Sequence, residues 1–381
     1  MKKNVFYYCL LGAIAAAGAS CSSDDEVLDE TPITPPVVEE TGNYFEEPAN
    51  TYIVSEEGEY SFDTRKPNGD LIPDIESAGW IWATKIEETD TEQQLISDVR
   101  YEDGKIYFNA TGKRGNAVIA AFNASLKPMW VWLIWCTDQP ETMEFENGVE
   151  FLDREIGATS ATPGDKNTRG LIVYQHGRIV PIFGGYEDEM HEDQNVYTFY
   201  EAEKWTIMNP EYGYKWEVSR DQVTVEESIE YPTTLFGNAT WTPSFDPSIW
   251  DRPKNIYDPS PAGYQISSAD DWGDVIDERK IEYDENLQGG IYTYNGKSAW
   301  FPTGNMGRHY TDGSYMEGQA MQGLTYWNGP AYIDDMPWYP APRYYASRAC
   351  IYFNTSFAGN SCNNMANSGF AFAIRCVRIQ D

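Results

Sequence analysis

Trp130-Val131-Trp132-Leu133-Ile134-Trp135 is a run of aromatic and β-branched residues, too short for a helix and too apolar for a loop. It reads as a buried strand. Trp130 and Trp132 alternate and Trp135 breaks the phase, which points to core packing rather than to stacking on a ligand. Working outward, Ala117-Val118-Ile119-Ala120 and Ile106-Tyr107-Phe108 have the same character. An Asp103-Gly104 turn signal precedes the second of them. Trp80-Ile81-Trp82, Tyr60-Ser61-Phe62 and Tyr52-Ile53-Val54 complete the series, the last two flanking an expected Glu57-Gly58 turn. Short strands spaced by turns, with no helical period of comparable length, predict an all-β sandwich over residues 49–149.

Residues 150–381 read differently, as a loop-rich unit with Gly, Pro, Asn and aromatics dispersed through it. One helix is expected over Ser268–Asp277: Ser268 can cap it, and Asp270 and Asp271 suit its N-terminal turn. Gly273 weakens it by ~1 kcal/mol. Near the C-terminus, Cys350–Asn354 and Phe370–Val377 read as two strands of a hairpin centred near Asn363. In the second strand Phe370, Phe372, Ile374 and Cys376 share one face; Ala371, Ala373, Arg375 and Val377 share the other. No internal repeat of 20–50 residues appears, which argues against a solenoid or propeller.

Composition narrows function. The 381 residues hold 27 Lys+Arg against 60 Asp+Glu, a formal charge of −33, and only 3 His. That sign excludes nucleic acid as the expected partner, since phosphate binding needs clustered cations. Few histidines leave little for a metal site or a His-based triad. Hydrophobic residues make 41% of the chain, enough for a sizeable core, and 13 Trp with 27 Tyr leave aromatics to spare for a binding surface.

The N-terminus is an address. Lys2 and Lys3 precede an apolar run from Val5 to Ala19, then Gly18-Ala19-Ser20-Cys21. This is a secretory signal peptide over residues 1–20, and the run is too short to prefer a membrane span of ~20 residues. Its ending resembles the lipobox of bacterial lipoproteins, although Gly18 stands where Leu is usual. The resemblance implies lipidation of Cys21 and hence a membrane partner through the N-terminal lipid. Ser22-Ser23-Asp24-Asp25-Glu26 resembles the acidic signal that sends Bacteroidetes lipoproteins to the exterior of the outer membrane. Residues 21–48 lack Lys and Arg and contain Pro32, Pro35, Pro36 and Pro48, the composition of an extended acidic tether.

Four cysteines remain beyond this address: Cys136, Cys350, Cys362 and Cys376. In an exported chain a disulfide is expected before a metal, because no CxxC and no neighbouring His occur. Four cysteines allow three pairings, which sequence does not resolve. The expected C-terminal hairpin would bring Cys350 close to Cys376, leaving Cys362 and Cys136 to pair or stay reduced.

Trp327 to Tyr345 carries the strongest ligand signal. Trp327, Asp334, Asp335, Trp338, Tyr339, Tyr344 and Tyr345 lie there among Pro330, Pro337, Pro340 and Pro342. Rings that stack on sugar C–H faces, beside carboxylates that fix hydroxyls, suit glycan binding; the other reading is a loop whose rings cover the core. Asp153-Arg154 reads as structural, each residue needing its own partner because strand neighbours point apart. Arg178, Arg375 and Arg378 read as partners for the acid excess. His176, His191 and His309 lack any nucleophile motif beside them, and no GxSxG, HExxH or phosphate loop occurs. No catalytic residue, cofactor or metal is assigned. Asp284-Glu285-Asn286 and Asp334-Asp335 are weak calcium candidates without a DxDxDG loop.

A series of motifs adds a family resemblance over residues 50–381. In order they are Tyr52-Ile53-Val54 with Gly58-Glu59-Tyr60, Gly115 to Ile119, Trp130 to Trp135, and Phe151 to Arg154 with Gly157-Ala158-Thr159. Pro163-Gly164-Asp165, Gly170-Leu171 through Gly177-Arg178, Ile256 to Tyr264, and Gly369-Phe370 through Ile374 to Arg378 follow. The series resembles Bacteroidetes surface lipoproteins of the fimbrillin-associated type, whose C-terminal half is similar to the Fibrobacter succinogenes major paralogous domain. The resemblance implies a mainly β protein: an Ig-like β-sandwich followed by an α+β domain akin to C-type lectins and formylglycine-generating folds. It implies cell-surface placement and adhesive or pilus-linked roles, with a pilin or a glycan as partner. Two departures stand out. Ser260 replaces a Cys that the resemblance would pair with Cys376, which points to Cys350 or Cys362 as a replacement. His176 stands where the family has Trp. The expected function is therefore a non-catalytic surface lipoprotein with an adhesive or pilus-associated role. A glycan-binding lipoprotein of a polysaccharide-uptake system is the alternative, and a hydrolase a further one.

Overall fold

The computed structural model describes residues 42–184, 200–244, 246–277, 280–303, 313, 323–334, 343–352 and 361–380. Strand makes up 43% and helix 7%, the mainly β class the sequence predicts. The N-terminal portion supplies β1 (Asn43–Phe45), β2 (Thr51–Val54), β3 (Glu57–Asp63), β4 (Ser77–Thr84), β5 (Ile96–Glu102), β6 (Lys105–Thr111), β7 (Gly115–Phe122) and β8 (Pro128–Cys136). They form two sheets, one ordered β1-β3-β6-β5 and one containing β4-β7-β8-β2. The sheets meet through Phe62 of β3, whose ring lies 5.1 Å from Trp132 of β8 and 4.3 Å from Tyr52 of β2.

Strand β8 is buried on both faces. Trp132 faces the opposite sheet, while Trp135 donates from Nε1 to the Ala158 carbonyl at 2.9 Å. Two apolar faces explain why the tryptophans break phase. Three expectations are corrected here. Glu57 and Gly58 lie inside β3 rather than in a turn, and β2 and β3 belong to different sheets. The folded body begins before residue 49: Asn43–Phe45 pairs in parallel with β3, because Phe45 packs on Tyr52 and Tyr60 at 4.7 and 5.6 Å. β5 is an additional edge strand; Asp103 and Gly104, both at positive φ, close its hairpin with β6.

The rest of the chain supplies β9 (Thr142–Glu144), β10 (Glu150–Leu152), β11 (Ile172–Gln175), β12 (Ile182–Phe183), α1 (Tyr200–Trp205), β13 (Thr206–Met208), β14 (Glu217–Ser219), β15 (Thr234–Phe236), β16 (Tyr264–Ile266) and α2 (Ala269–Asp277). It ends with β17 (Glu282–Asp284), β18 (Gly289–Tyr294), β19 (Lys297–Pro302), β20 (Gly323–Asp334), β21 (Arg343–Tyr352), β22 (Ser361–Asn367), β23 (Ala371–Phe372) and β24 (Cys376–Arg378). The sheets are β16-β24-β10-β9, β12-β11-β23, β14-β15, β17-β18-β19 and β20-β21-β22.

Residues Thr41–Asp381 form one unit. The boundary expected at 149/150 falls in the turn between β9 and β10, which pair with each other. β13 crosses back to extend the sandwich, Thr206 opposite Thr84 and Met208 opposite Trp82. Asn50 joins the two portions: its Nδ2 donates to the Ile256 and Asp258 carbonyls at 2.8 Å, and its Oδ1 accepts from Trp130 Nε1 at 2.9 Å. A continuous apolar core consequently runs from Ala49 to Cys376.

The expected helix forms as α2. Ser268 and Asp271 cap it reciprocally: Asp271 N donates to Ser268 Oγ at 3.3 Å and Ser268 N to Asp271 Oδ2 at 2.7 Å. Gly273, at φ 33° and ψ −134°, breaks it at mid-length. The expected Cys350–Cys376 hairpin is absent. Ser361–Asn367 is itself a strand beside β21, and the following residues go elsewhere, Phe372 to Tyr174 and Cys376 to Ile266. Residues 371–377 are buried on both faces, so their alternation describes two buried sides.

Candidate functional site

Strands β20 and β21, which carry the two ends of the Trp327–Tyr345 segment, pair in antiparallel register. Asp334 stands opposite Arg343, Ile333 opposite Tyr344 and Tyr332 opposite Tyr345. Asp335, Trp338 and Tyr339 lie outside the described residues, and Asp334 and Tyr344 are described by their strand positions alone. Tyr345 is half-buried and pairs onward with Asn367. Trp327 is a correction: it is fully buried, donates to the Tyr174 carbonyl at 2.6 Å, and packs 4.5 Å from Phe372. It belongs to the core and not to a sugar platform. The prolines misled here, because Pro330 sits in a bulge between Trp327 and Ala331 that leaves the strand otherwise continuous. Gly329 in that bulge lies against Trp250: an added Cβ would come within 2.3 Å of the Trp250 carbonyl oxygen.

His176 lines the same core. It is 1% exposed, its Nε2 donates to the Gly329 carbonyl at 3.0 Å, and its ring sits 4.6 Å from Trp250 and 5.3 Å from Trp327. Burial pushes its pKa down to about 4, so the ring is neutral at ordinary pH. His191 and His309 lie outside the described residues.

The arginines divide. Arg378 pairs with Glu150 at 2.8 Å, as expected for an acid partner. Arg178 and Arg375 are corrections, since their hydrogen bonds go to amide oxygens. Fully buried Arg178 donates to Gln175 Oε1 at 2.8 Å and to the carbonyls of Thr234, Ser228 and Tyr231 at 2.9, 3.2 and 3.2 Å. It thereby fastens the 228–234 segment onto the turn after β11. Arg375 donates to the carbonyls of Leu152, Trp300 and Asp153 at 3.0, 2.8 and 2.6 Å, and lies 4.0 Å over Phe301. It interrupts the final strands and ties three parts of the C-terminal portion together.

Arg154 also departs from expectation. It donates to its own neighbour Asp153 at 2.8 and 2.9 Å, besides Asp138 at 3.0 and 3.1 Å. Alternation fails because both residues lie beyond the end of β10, in a bend. Burial opposes the Arg154 charge, but hydrogen bonds to Asp153 and Asp138 outweigh it and raise the pKa. The reciprocal hydrogen bond from Arg154 holds the Asp138 carboxyl below its usual range.

Cys350 and Cys376 are not bonded to one another, which corrects the expected disulfide. They sit on different sheets: Cys350 lies opposite Thr325, with its Sγ 3.6 Å from Thr325 Oγ1. Cys376 Sγ lies 3.1 Å from Ser260 Oγ. Burial pushes the Cys136 and Cys376 thiols up to about 12, which removes thiolate character. Lys254 donates to the Ser260 and Pro261 carbonyls at 2.8 Å beside this pair.

Asp284, one of the residues read as calcium candidates, serves the chain. Asp284 Oδ1 accepts from Asn286 N and Leu287 N at 2.9 and 3.1 Å, closing the β17–β18 turn. Among the described residues no group of three or more His, Cys, Asp or Glu could hold a metal ion. No family model, curated protein or solved structure matches the chain.

Proposed function

We propose that this chain is a lipid-anchored protein of the bacterial outer membrane, facing the exterior, with a non-catalytic adhesive role. The observation that carries the reading is Gly18-Ala19-Ser20-Cys21 followed by Ser22-Ser23-Asp24-Asp25-Glu26, ahead of a body whose first strand starts at Asn43. Twenty-odd residues between Cys21 and β1 reach at most ~70 Å when extended. Their acids and prolines favour extension away from an anionic membrane surface. The body supports the reading because His176, Arg178, Arg375 and the Cys376 thiol are committed to holding loops and sheets in place. The C-terminal portion, where α2 packs on β21 and β22, is the part we assign to contact with other surfaces, as the lectin-like resemblance implies.

Two experiments test this. Fatty-acid labelling of the wild type and Cys21→Ala should mark the first alone; an unlabelled wild type contradicts the anchor. Cells lacking the protein should adhere less to host or neighbouring bacterial surfaces, and wild-type protein should restore adherence where Cys21→Ala does not. Copurification with pilin subunits would specify a pilus-linked role. Unchanged adherence on deletion contradicts the adhesive role.

A further inference from the structure

We infer that a cleft between β16, β24 and the start of α2 binds the end of a neutral saccharide. The inference rests on the adhesive reading and supplies its ligand class. The cleft holds ≈ 370 Å³ and is lined by Arg252, Gln265, Asp271, Arg378 and Gln380 over an apolar floor that includes Val377. This is within the range of small-ligand pockets, ~300–1,000 Å³, and suits roughly one or two sugar rings.

Gln265 is the decisive residue. It sits on β16 opposite Val377, is 8% exposed, and opens into the cleft. Among the described residues no hydrogen bond reaches its side-chain amide. A primary amide offers two donors and an acceptor. Gln265 is largely covered, yet its amide atoms stay open to the cleft without protein partners, so a ligand hydroxyl can take the place of water there.

The charges around it are already matched. Asp271 accepts from Arg252 and from Ser268 N, and Arg378 Nε lies 2.8 Å from Glu150 Oε2. Gln380 Nε2 donates to the Gly148 carbonyl at 3.0 Å, which leaves its amide oxygen for a ligand. An anion would find no unmatched cation and would meet the field of a chain at −33. A cation would find no unmatched carboxylate. What remains is neutral hydrogen-bonding capacity: the Gln265 amide, the Gln380 oxygen and the outer N–H groups of two guanidiniums. Adjacent hydroxyls of a sugar use such groups as donor and acceptor together, while its C–H faces rest on the apolar floor.

The test uses full-length protein purified from membranes in a non-saccharide detergent. Saturation-transfer NMR is recorded with galactose, N-acetylglucosamine, cellobiose and glucuronate. At least one neutral sugar should receive saturation, and glucuronate should bind at least tenfold more weakly. Gln265→Leu should weaken that binding at least tenfold. Arg378→Ala, at an exposed position, should do the same without altering the thermal melt. No saturation for any neutral sugar overturns the inference, as does binding that survives both substitutions or a preference for glucuronate. None of these outcomes alters Cys21 labelling, so failure of the cleft is separable from failure of the anchor.

Discussion

Ser260 and Cys376 face each other across 3.1 Å, oxygen to sulfur, and both are fully buried. Ser260→Cys should therefore oxidise to a disulfide with Cys376. Bridging residues 116 apart in sequence should stabilise the fold by roughly 2–4 kcal/mol. Thiol titration of the denatured, air-oxidised variant would show the Cys376 thiol consumed; a full complement of thiols would contradict the geometry. Arg375→Met should cost at least ~3 kcal/mol in urea unfolding, because three inward carbonyls lose their donor. A loss below ~1 kcal/mol would show that the arginine does not fasten those segments. His176 gives a pH signature. Its folded-state pKa of about 4 lies below the ~6.5 of an unfolded histidine, so the unfolded chain binds the extra proton. The stabilisation from its neutral form is complete above pH ~6.5 and falls away as pH drops toward 4. Between pH 7.5 and 5.5 the wild type should lose on the order of 1 kcal/mol more than His176→Gln in urea unfolding; equal losses would contradict the assignment.

At the scale of elements, legibility followed burial. Trp130–Trp135 could be read because a strand buried on both faces is almost entirely apolar. Ile96–Glu102 gave no such signal: it is an edge strand carrying Asp98, Arg100 and Glu102 on a mostly exposed surface. Ser361–Asn367 reads as a loop in sequence because three Asn and a Ser lie among its seven residues, yet it pairs with β21. Trp327 was legible as an important ring but not as a core ring, since Pro330 disguised a bulged strand. Gln265 could not be found at all, because an amide becomes informative only when its surroundings show that nothing answers it. Where local chemistry was specific, the reading held, as at the Ser268 cap of α2. Ser268→Ala should cost ~1 kcal/mol, measured by chemical unfolding, and no change would mean that Asp271 alone suffices. Gly157 marks a tighter constraint. It sits at φ 87°, and an added Cβ would lie 2.4 Å from the Gly170 carbonyl oxygen. Gly157→Ala should therefore lower the melting temperature by several degrees, and an unchanged melt would contradict that close approach.

For the molecule as a whole, the proposed acylated N-terminus stands beside two features of the chain: its strongly acidic composition and a β body whose two portions contribute to a common core. With a formal charge of −33, self-repulsion opposes the folded state. Salt that shortens the screening length should raise the melting temperature, and a fall with added salt would show that attractive pairs dominate instead. The acidic N-terminal stretch and the cleft beside Gln265 are parts of one proposal, a body held outside the membrane with a neutral sugar site upon it. The most direct measurement treats living cells with an external protease and follows the protein by immunoblot of the membrane fraction. The account predicts that the wild type is membrane-bound and degraded, while Cys21→Ala is found soluble and protected inside the cell envelope. A wild-type chain that stays intact on cells whose outer membrane is unbroken would contradict it.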